Sequence, residues 1–322
     1  MQRLMFSCMA LSSQGMVSMG YVYLVLVALL FSFGGICVKL ISPYYAPSMI
    51  SFFRFAVGVG FLLLLKAIKR QPFRADLAVS FRKNWTWLVL GAMSKLGAYL
   101  TENTALSLGV SYGNILTQPA QMILLTVIGV LVLGEKLTIS KTIGLILCVL
   151  GILSISLNGK SFAQLVEGDF MLTLLYIVSG MMAGMFVFVQ KKVSGSFDIL
   201  DSNLIMFAMA AGAGFVPPLL ENRLLPASPP DLKAVFAILL FGMITGIGFY
   251  LNAKAIPLVP FFMVPLLQST MVFFSMTWGV LFFHEPITLW ILTGAGLFVA
   301  GIILMQMSRT CADQTMDTDS RK

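Results

Sequence analysis

Charged residues are scarce in this sequence. They make up 11% of its 322 residues, and 58% of the residues are hydrophobic, whereas a soluble domain carries about 25% charged residues. The chain therefore has too few polar side chains to cover a water-facing exterior. Residues 110–134 contain no charge at all, and apolar stretches of about 18 or more residues recur along the chain. This scarcity excludes a soluble domain and predicts an integral membrane protein that crosses the bilayer repeatedly.

Residues that hold metals, phosphates or nucleic acids are also few. His284 is the only histidine, and the four cysteines have no CxxC or other metal-site spacing. No GxxxxGK[ST] loop is present, so the chain lacks the usual means of hydrolysing ATP. The net charge of +8 is spread over short loops and does not form a nucleic-acid surface. We therefore predict no catalytic residues, no metal site, no cofactor and no nucleic-acid partner.

The apolar stretches predict helices rather than strands. A membrane barrel would alternate apolar and polar residues, and these stretches do not. Each is about 20 residues long, which is enough to cross a hydrocarbon core of about 30 Å. The predicted spans are residues 19–40, 47–67, 84–106, 111–133, 138–157, 168–190, 200–220, 234–256, 260–283 and 288–307.

A glutamate-containing break occurs twice, 150 residues apart. GVLVLGEKLT at 129–138 and GVLFFHEPIT at 279–288 share Gly, Val, Leu, Glu and Thr in register. We interpret Glu135 and Glu285 as turn and register marks, because an acid suits the start of a helix. The same interval pairs Gln118 with Gln268. The repeat divides the ten spans into two sets of five.

Because five is odd, the second set must enter the membrane upside down relative to the first. We predict an all-α polytopic membrane protein of ten transmembrane helices, arranged as two inverted five-helix repeats over residues 19–157 and 168–308. Such symmetry is typical of secondary transporters. The remaining residues, 1–18 and 309–322, form an N-terminal segment and a tail, both predicted to be cytoplasmic.

That orientation follows from the basic residues. With the N-terminus in the cytoplasm, most of the 21 basic residues lie on the cytoplasmic side, many of them in KAIKRQPFRADLAVSFRK at 66–83. An excess of Lys and Arg on one side identifies the cytoplasmic loops. The outer side then holds only Lys39, Lys160, Arg223 and Lys233.

The repeat signature resembles that of a known family. GVLVLGEKLTISKTIGLILCVLGILSI, its echo GVLFFHEPITLWILTGAGLFVAGIIL, and the Pro47 and Arg54 of APSMISFFRF are similar to the EamA family of the drug/metabolite transporter (DMT) superfamily. The resemblance implies a ten-helix carrier with a central cavity lined mainly by spans one, three, four, six, eight and nine. Spans five and ten would lie at the periphery, where Gly144, Gly151, Gly294 and Gly301 predict close helix packing. We expect the bacterial inner (plasma) membrane as its location.

Ionisable residues in the spans are the first candidates for a site, because a charge at the bilayer centre costs about 2.5–3.5 kcal/mol by insertion scales. In span three, Lys95, Tyr99 and Glu102 fall within about 60° of one another on the helix. Arg54 and Lys39 are charge partners in reach of Glu102. Three alternatives stay open: an ion pair that holds helices together, a contact to a charged substrate group, or a proton relay.

Side-chain amides are the second candidates. Asn114, Gln118 and Gln121 share one face of span four, beside a Pro119 that predicts a kink. Span nine offers Gln268 after a proline-rich start, and span eight offers Asn252. These amides would either line a cavity and bind a substrate, or form hydrogen bonds between helices worth about 0.6 kcal/mol on average.

Three functions are compatible with these features. The favoured one is a secondary active transporter that moves a small organic metabolite, such as an amino acid, vitamin or drug, by alternating access. A membrane-embedded transferase would need clustered carboxylates or a histidine constellation, and a channel would not need matched halves. The expected partners are the small-molecule substrate and the lipid bilayer. A coupling H⁺ or Na⁺ and a homodimer are left open.

Overall fold

The computed structural model describes residues 18–72, 77–108, 117–134, 138–157, 159, 162–261, 263–283 and 288–319. Regular structure within these ranges is helical, without strands. We group the described helices into ten elements: α1 (Ser18–Ile41), α2 (Pro47–Ile68), α3 (Leu77–Leu108), α4 (Thr117–Leu131), α5 (Ile139–Leu157), α6 (Phe162–Val193), α7 (Ile199–Leu220), α8 (Leu232–Ala255), α9 (Met263–Phe282) and α10 (Leu289–Asp319).

The helix starts follow from the local sequence. Pro47 occupies the first turn of α2, where its missing N–H would have had no partner and its fixed φ favours the helix. Asp198 precedes α7 and accepts a hydrogen bond of 2.9 Å from the backbone N of Leu200. Asp231 likewise caps α8 by accepting from Ala234 N at 2.7 Å. Such caps satisfy backbone donors that a helix start leaves without a partner.

Six of the described helices are long and apolar enough to cross a membrane. They are α1, α2, α6 over Leu174–Val193, α7, α8 and α9. Three more are shorter apolar helices: Thr117–Leu131, Ile139–Ile155 and Leu289–Leu304. The remaining element, α3, carries the charged residues Arg82, Lys83, Lys95 and Glu102.

Three differences from the predicted spans have local causes. α3 begins at Leu77, earlier than predicted, and contains a kink at Asn84, whose backbone is non-helical (φ −116°, ψ 16°). α9 is interrupted at Ser269 and Thr270, after the proline-rich segment rather than within it. Their hydroxyls donate to the carbonyls of Pro265 and Leu267, both at 2.7 Å, so the break leaves these groups satisfied as a membrane interior requires.

The predicted kink at Pro119 lies at the edge of the described residues. Pro119 is the third described residue of α4, and residues 109–116 before it lie outside the described ranges. A proline kinks a helix by clashing with the carbonyl four residues before it, and that residue, 115, is among those outside. The kink at Pro119 therefore stays a prediction.

The chain connections define two faces of the bundle. We call the end at which α1 begins the near face, and the other end the far face. At the far face, Ala227 N donates to Tyr44 O at 2.8 Å, so the loops after α1 and α7 meet. At the near face, Lys66 at the end of α2 pairs with Asp201 at the start of α7. Corresponding helices of the two repeats thus run in opposite directions, as an inverted repeat requires.

Helix packing also follows the repeat. In the repeat, α2 corresponds to α7 and α3 corresponds to α8. The contact between α2 and α8 therefore has a symmetric counterpart in the contact between α7 and α3, and both are present. Likewise α3 packs against α6, and α1 packs against α8. Helices of one repeat therefore contact mainly helices of the other.

The pair α5 and α10 meets through glycines. A Cβ added at Gly294 would lie 2.5 Å from the carbonyl oxygen of Gly151, and one at Gly301 would lie 2.6 Å from that of Gly144. Backbones approach so closely only where the side chain is a hydrogen atom. The predicted role of these glycines in close helix packing is confirmed.

Candidate functional site

A cavity with a largely polar lining lies between the two repeats. Helices α1, α2, α3 and α4 of the first repeat and α6, α8 and α9 of the second line it. The resemblance implied all of these except α2. The polar lining residues are Arg54, Lys95, Tyr99, Glu102, Thr117, Gln118, Gln121, Ser179 and Gln268.

Arg54 enters the cavity from α2 and has several partners. Its Nη1 lies 3.8 Å from Glu102 Oε2, and its Nε donates a hydrogen bond of 2.9 Å to Thr245 Oγ1. Its guanidinium carbon lies 3.3 Å from the centre of the Tyr99 ring and 4.0 Å from that of Phe241. With 4% of its surface exposed, Arg54 is a buried charge stabilised by a carboxylate, a hydroxyl and two aromatic faces.

Lys95 has a different environment. Its Nζ lies 4.1 Å from the centre of the Tyr99 ring, 4.4 Å from Phe249 and 5.5 Å from Phe186. The two ion pairs found in the described part of the chain are Arg54–Glu102 and Lys66–Asp201, and neither includes Lys95. Lys95 is 6% exposed and lines the cavity. Its ammonium therefore contacts aromatic rings, and Glu102 attracts it only from beyond ion-pair distance.

A continuous chain of side-chain amides leads from the cavity toward the near face. Gln121 Nε2 donates to Gln268 Oε1 at 2.8 Å, and Gln268 Nε2 donates to Asn252 Oδ1 at 2.7 Å. Asn252 Nδ2 then donates to Gln190 Oε1, and Gln190 Nε2 donates to Asn203 Oδ1, both at 2.9 Å. Every amide donates in the same direction, so all five are partnered inside the bundle.

Gln190 and Asn203 were not among the residues singled out in the sequence. Both are within about two turns of a helix end: Gln190 precedes the end of α6, and Asn203 follows the start of α7. A polar residue so near a helix end resembles an interfacial residue, and the sequence gives no sign that it points inward. The structure shows both buried, at 3% and 0% exposure. Their burial depends on contacts between helices that are distant in sequence.

The remaining candidates have varied positions. Gln118 lines the cavity and accepts from Ser269 Oγ at 3.4 Å. Asn252 is buried behind Gln268 rather than in the cavity lining. Lys39 is half-buried in the last turn of α1, and the ion pair shown for Glu102 is with Arg54. The last candidate, the two register marks and the single histidine lie outside the described residues: Asn114, Glu135, Glu285 and His284.

The charged cluster has neutral counterparts in the second repeat. At the 150-residue interval, Lys95 corresponds to Thr245, Tyr99 to Phe249 and Glu102 to Asn252. Arg54 corresponds to Leu204. The cavity therefore combines a charged side from the first repeat with a neutral side from the second.

The sequence matches the model of the EamA-like transporter family over residues 18–157 and 170–307. The chain belongs to the EamA-like transporter family. It is thus a membrane transporter of the DMT superfamily and an integral membrane protein, as the resemblance implied. The predicted all-α polytopic class with two repeats is also confirmed, since the family model matches the chain once in each half.

Solved structures with this fold exist. Among 28 matching chains, one described as "Crystal structure of protein" has a TM-score of 0.71 and is 14% identical to this transporter. The likeness covers 89% of this chain and 98% of the other, and at that identity it shows the fold alone. No curated protein matches the sequence. Within the described residues, no group of three or more His, Cys, Asp or Glu side chains could hold a metal ion.

Proposed function

We propose that this EamA-like transporter is a secondary carrier that moves a small organic metabolite, such as an amino acid, vitamin or drug, by alternating access. The observation that carries the proposal is the polar cavity between the two repeats. Both repeats contribute lining residues, so a movement of one repeat against the other would change access to the cavity. Two opposed copies of one unit are suited to provide two such arrangements.

The contacts on the near-face side of the cavity support this mechanism. Asn252, Gln190 and Asn203 bond to one another across α8, α6 and α7, close to the near-face ends of these helices. Lys66 and Asp201 pair between α2 and α7 beyond them. We call these five residues the near-face contacts. We propose that these contacts close the cavity toward the near face, so that opening toward that face requires them to break.

We further propose that the near face is cytoplasmic and that the membrane is a bacterial plasma membrane. Basic residues support this orientation, because the near-face ends of α2, α6 and α8 and the residues just after α2 include Lys69, Arg70, Lys191, Lys192 and Lys254. A reporter that is active on only one side of the membrane, fused after α10, tests it. Activity of a cytoplasmic reporter is expected, and activity of a periplasmic one would reverse the orientation.

Energy for the movement would come from a gradient of the substrate, of H⁺ or of Na⁺, or from exchange. Purified transporter in proteoliposomes tests the carrier hypothesis. Uptake from a mixture of radiolabelled metabolites should saturate, and a preloaded substrate should accelerate the entry of the same substrate from outside. A linear, non-exchanging flux would indicate a channel, and chemical conversion without flux would indicate an enzyme.

A further inference from the structure

We infer that the cavity binds a small organic monocarboxylate, with the carboxylate beside Lys95 and an apolar body against the apolar part of the lining. This inference rests on the proposed carrier function and adds the chemical class of its substrate. It starts from the charges of the described cavity lining: two cations, Arg54 and Lys95, and one carboxylate, Glu102.

The two cations are not equivalent. Arg54 already has Glu102 at 3.8 Å and Thr245 at 2.9 Å. Lys95 is nine-tenths buried, lines the cavity and forms no ion pair within the described residues, although Glu102 attracts it from a longer distance. A buried charge in a membrane is costly and functional when it faces a cavity. When Lys95 is protonated, the charges of Arg54, Lys95 and Glu102 sum to one positive charge, which a bound anion would neutralise.

Aromatic rings hold the ammonium without neutralising it. Tyr99 and Phe249 stand 4.1 and 4.4 Å from Lys95 Nζ, distances at which a ring face attracts a cation. This attraction fixes where the charge lies but leaves its net value at one. A bound monocarboxylate would bring the net charge of the cavity to zero. A bound phosphate dianion would instead leave a net charge of minus one.

The rest of the lining fits the remainder of such a molecule. Gln118, Gln121 and Gln268 line the cavity with uncharged amides. Each NH2 group has a second N–H besides the one it donates inside the protein, and this second N–H suits a carboxylate oxygen or a polar substituent. Ala28, Phe31 and Met271 form an apolar wall from α1 and α9. A cavity with a cationic side, amide groups and an apolar wall matches a compact acid whose body is aromatic or aliphatic.

Binding to the purified protein tests the inference without requiring transport. The probes are acids and their uncharged amides of nearly equal shape: benzoate against benzamide, nicotinate against nicotinamide, and phenylacetate against phenylacetamide. A ligand of the folded state raises the temperature of thermal unfolding. We expect at least one acid to raise it by several degrees and its amide to have little effect.

Variants of one helix then assign the charge. Lys95→Gln should weaken binding of the effective acid by roughly tenfold or more, while Lys95→Arg should retain a large part of it. Lys83→Gln is the matched control, because Lys83 lies on the same helix but is exposed outside the cavity, and it should bind like the unmodified protein. If Lys95→Gln does not fold, the comparison of acids with their amides and the binding by Lys95→Arg still decide whether the cavity recognises a carboxylate.

Two results would overturn the inference. Amides that stabilise the protein as well as their acids would show that charge is not recognised. A panel in which no acid stabilises it would exclude this class of monocarboxylate. The test of the substrate class is separable from the test of the carrier hypothesis. Transport of only a neutral or cationic metabolite would refute the monocarboxylate inference and leave the carrier hypothesis intact. Binding of an acid without any transport would refute the carrier hypothesis and leave the monocarboxylate inference intact.

Discussion

Arg54 and Lys95 show two ways of keeping a charge inside the bundle. Arg54 has a carboxylate and a hydroxyl as partners, whereas Lys95 has ring faces. A cation–π contact contributes about 0.5–2 kcal/mol, and burying a charge in a membrane costs about 2.5–3.5 kcal/mol by insertion scales. The rings therefore offset only part of the cost at Lys95. The two side chains should respond differently to substitution.

The ion pair between Arg54 and Glu102 should couple these residues energetically. Glu102→Gln leaves the guanidinium without its carboxylate and should lower the free energy of unfolding by about 1–3 kcal/mol. It should also impair uptake while the protein still inserts into the membrane. Thermal unfolding of the purified protein and uptake into proteoliposomes measure the two effects.

A double-mutant cycle checks that the effect belongs to the pair. Arg54→Gln combined with Glu102→Gln should cost less than the sum of the single changes, since the second change no longer breaks the pair. Strictly additive costs would show that the 3.8 Å approach contributes nothing. Normal uptake by Glu102→Gln would leave Glu102 with a packing role only.

The amide chain makes Gln190 more important than its position in the sequence suggests. Gln190→Leu removes one donor and one acceptor, leaving Asn252 Nδ2 and Asn203 Oδ1 without their partners. Each buried unsatisfied group costs about 1–3 kcal/mol, so the unfolding temperature should fall clearly. Gln71→Leu, at an exposed position, is the control. An equal effect of both substitutions would contradict the chain.

At the scale of helices, the contact between α5 and α10 depends on the absence of side chains. Gly151 and Gly294 face each other's carbonyl oxygens, and Cys148 Sγ donates to Phe298 O at 3.5 Å, across the same 150-residue interval. The symmetric partners thus touch each other directly. The sequence repeat predicted close packing at these glycines, but it did not identify α5 and α10 as partners of each other.

Two alanine substitutions on α10 distinguish the effect of close contact with α5 on stability from the effect of helix propensity. At Gly294 an added Cβ would meet backbone atoms of α5, which cannot move aside, and we expect a loss of about 1–3 kcal/mol. At Gly296, two residues away, nothing lies within 4 Å, and alanine should stabilise the helix by up to about 1 kcal/mol. Thermal unfolding of both variants measures the difference. Equal values would refute the close contact.

At the scale of the molecule, the sequence predicted what one helix alone determines. Apolar length placed the spans, and the 100° rotation per residue placed Lys95, Tyr99 and Glu102 on one stripe. The partners that complete the site come from other helices: Thr245 for Arg54, and Gln190 and Asn203 for Asn252. Periodicity within a helix does not determine which faces of distant helices meet, so these partners could not be predicted.

Lys66 and Asp201 join the two repeats at the near face, and exchanging their charges tests the contact. Removing one partner of a buried pair costs about 3–5 kcal/mol, so Lys66→Asp and Asp201→Lys should each reduce folded protein and uptake strongly. The double exchange should restore most of the folded protein, because opposite charges again face each other. Membrane abundance and thermal unfolding measure this recovery. A double variant no better than the worse single one would contradict the pairing.

The neutral counterparts of the charged cluster have an energetic consequence. In a perfectly symmetric carrier, interchanging the repeats would reproduce the same molecule seen from the other side of the membrane, and its two access states would have equal energy. Here the interchange would move Lys95 and Glu102 to positions held by Thr245 and Asn252. Under the proposed alternating-access mechanism, the two states would therefore differ in electrostatic energy. The empty carrier would then have a preferred resting side, which the membrane voltage would shift.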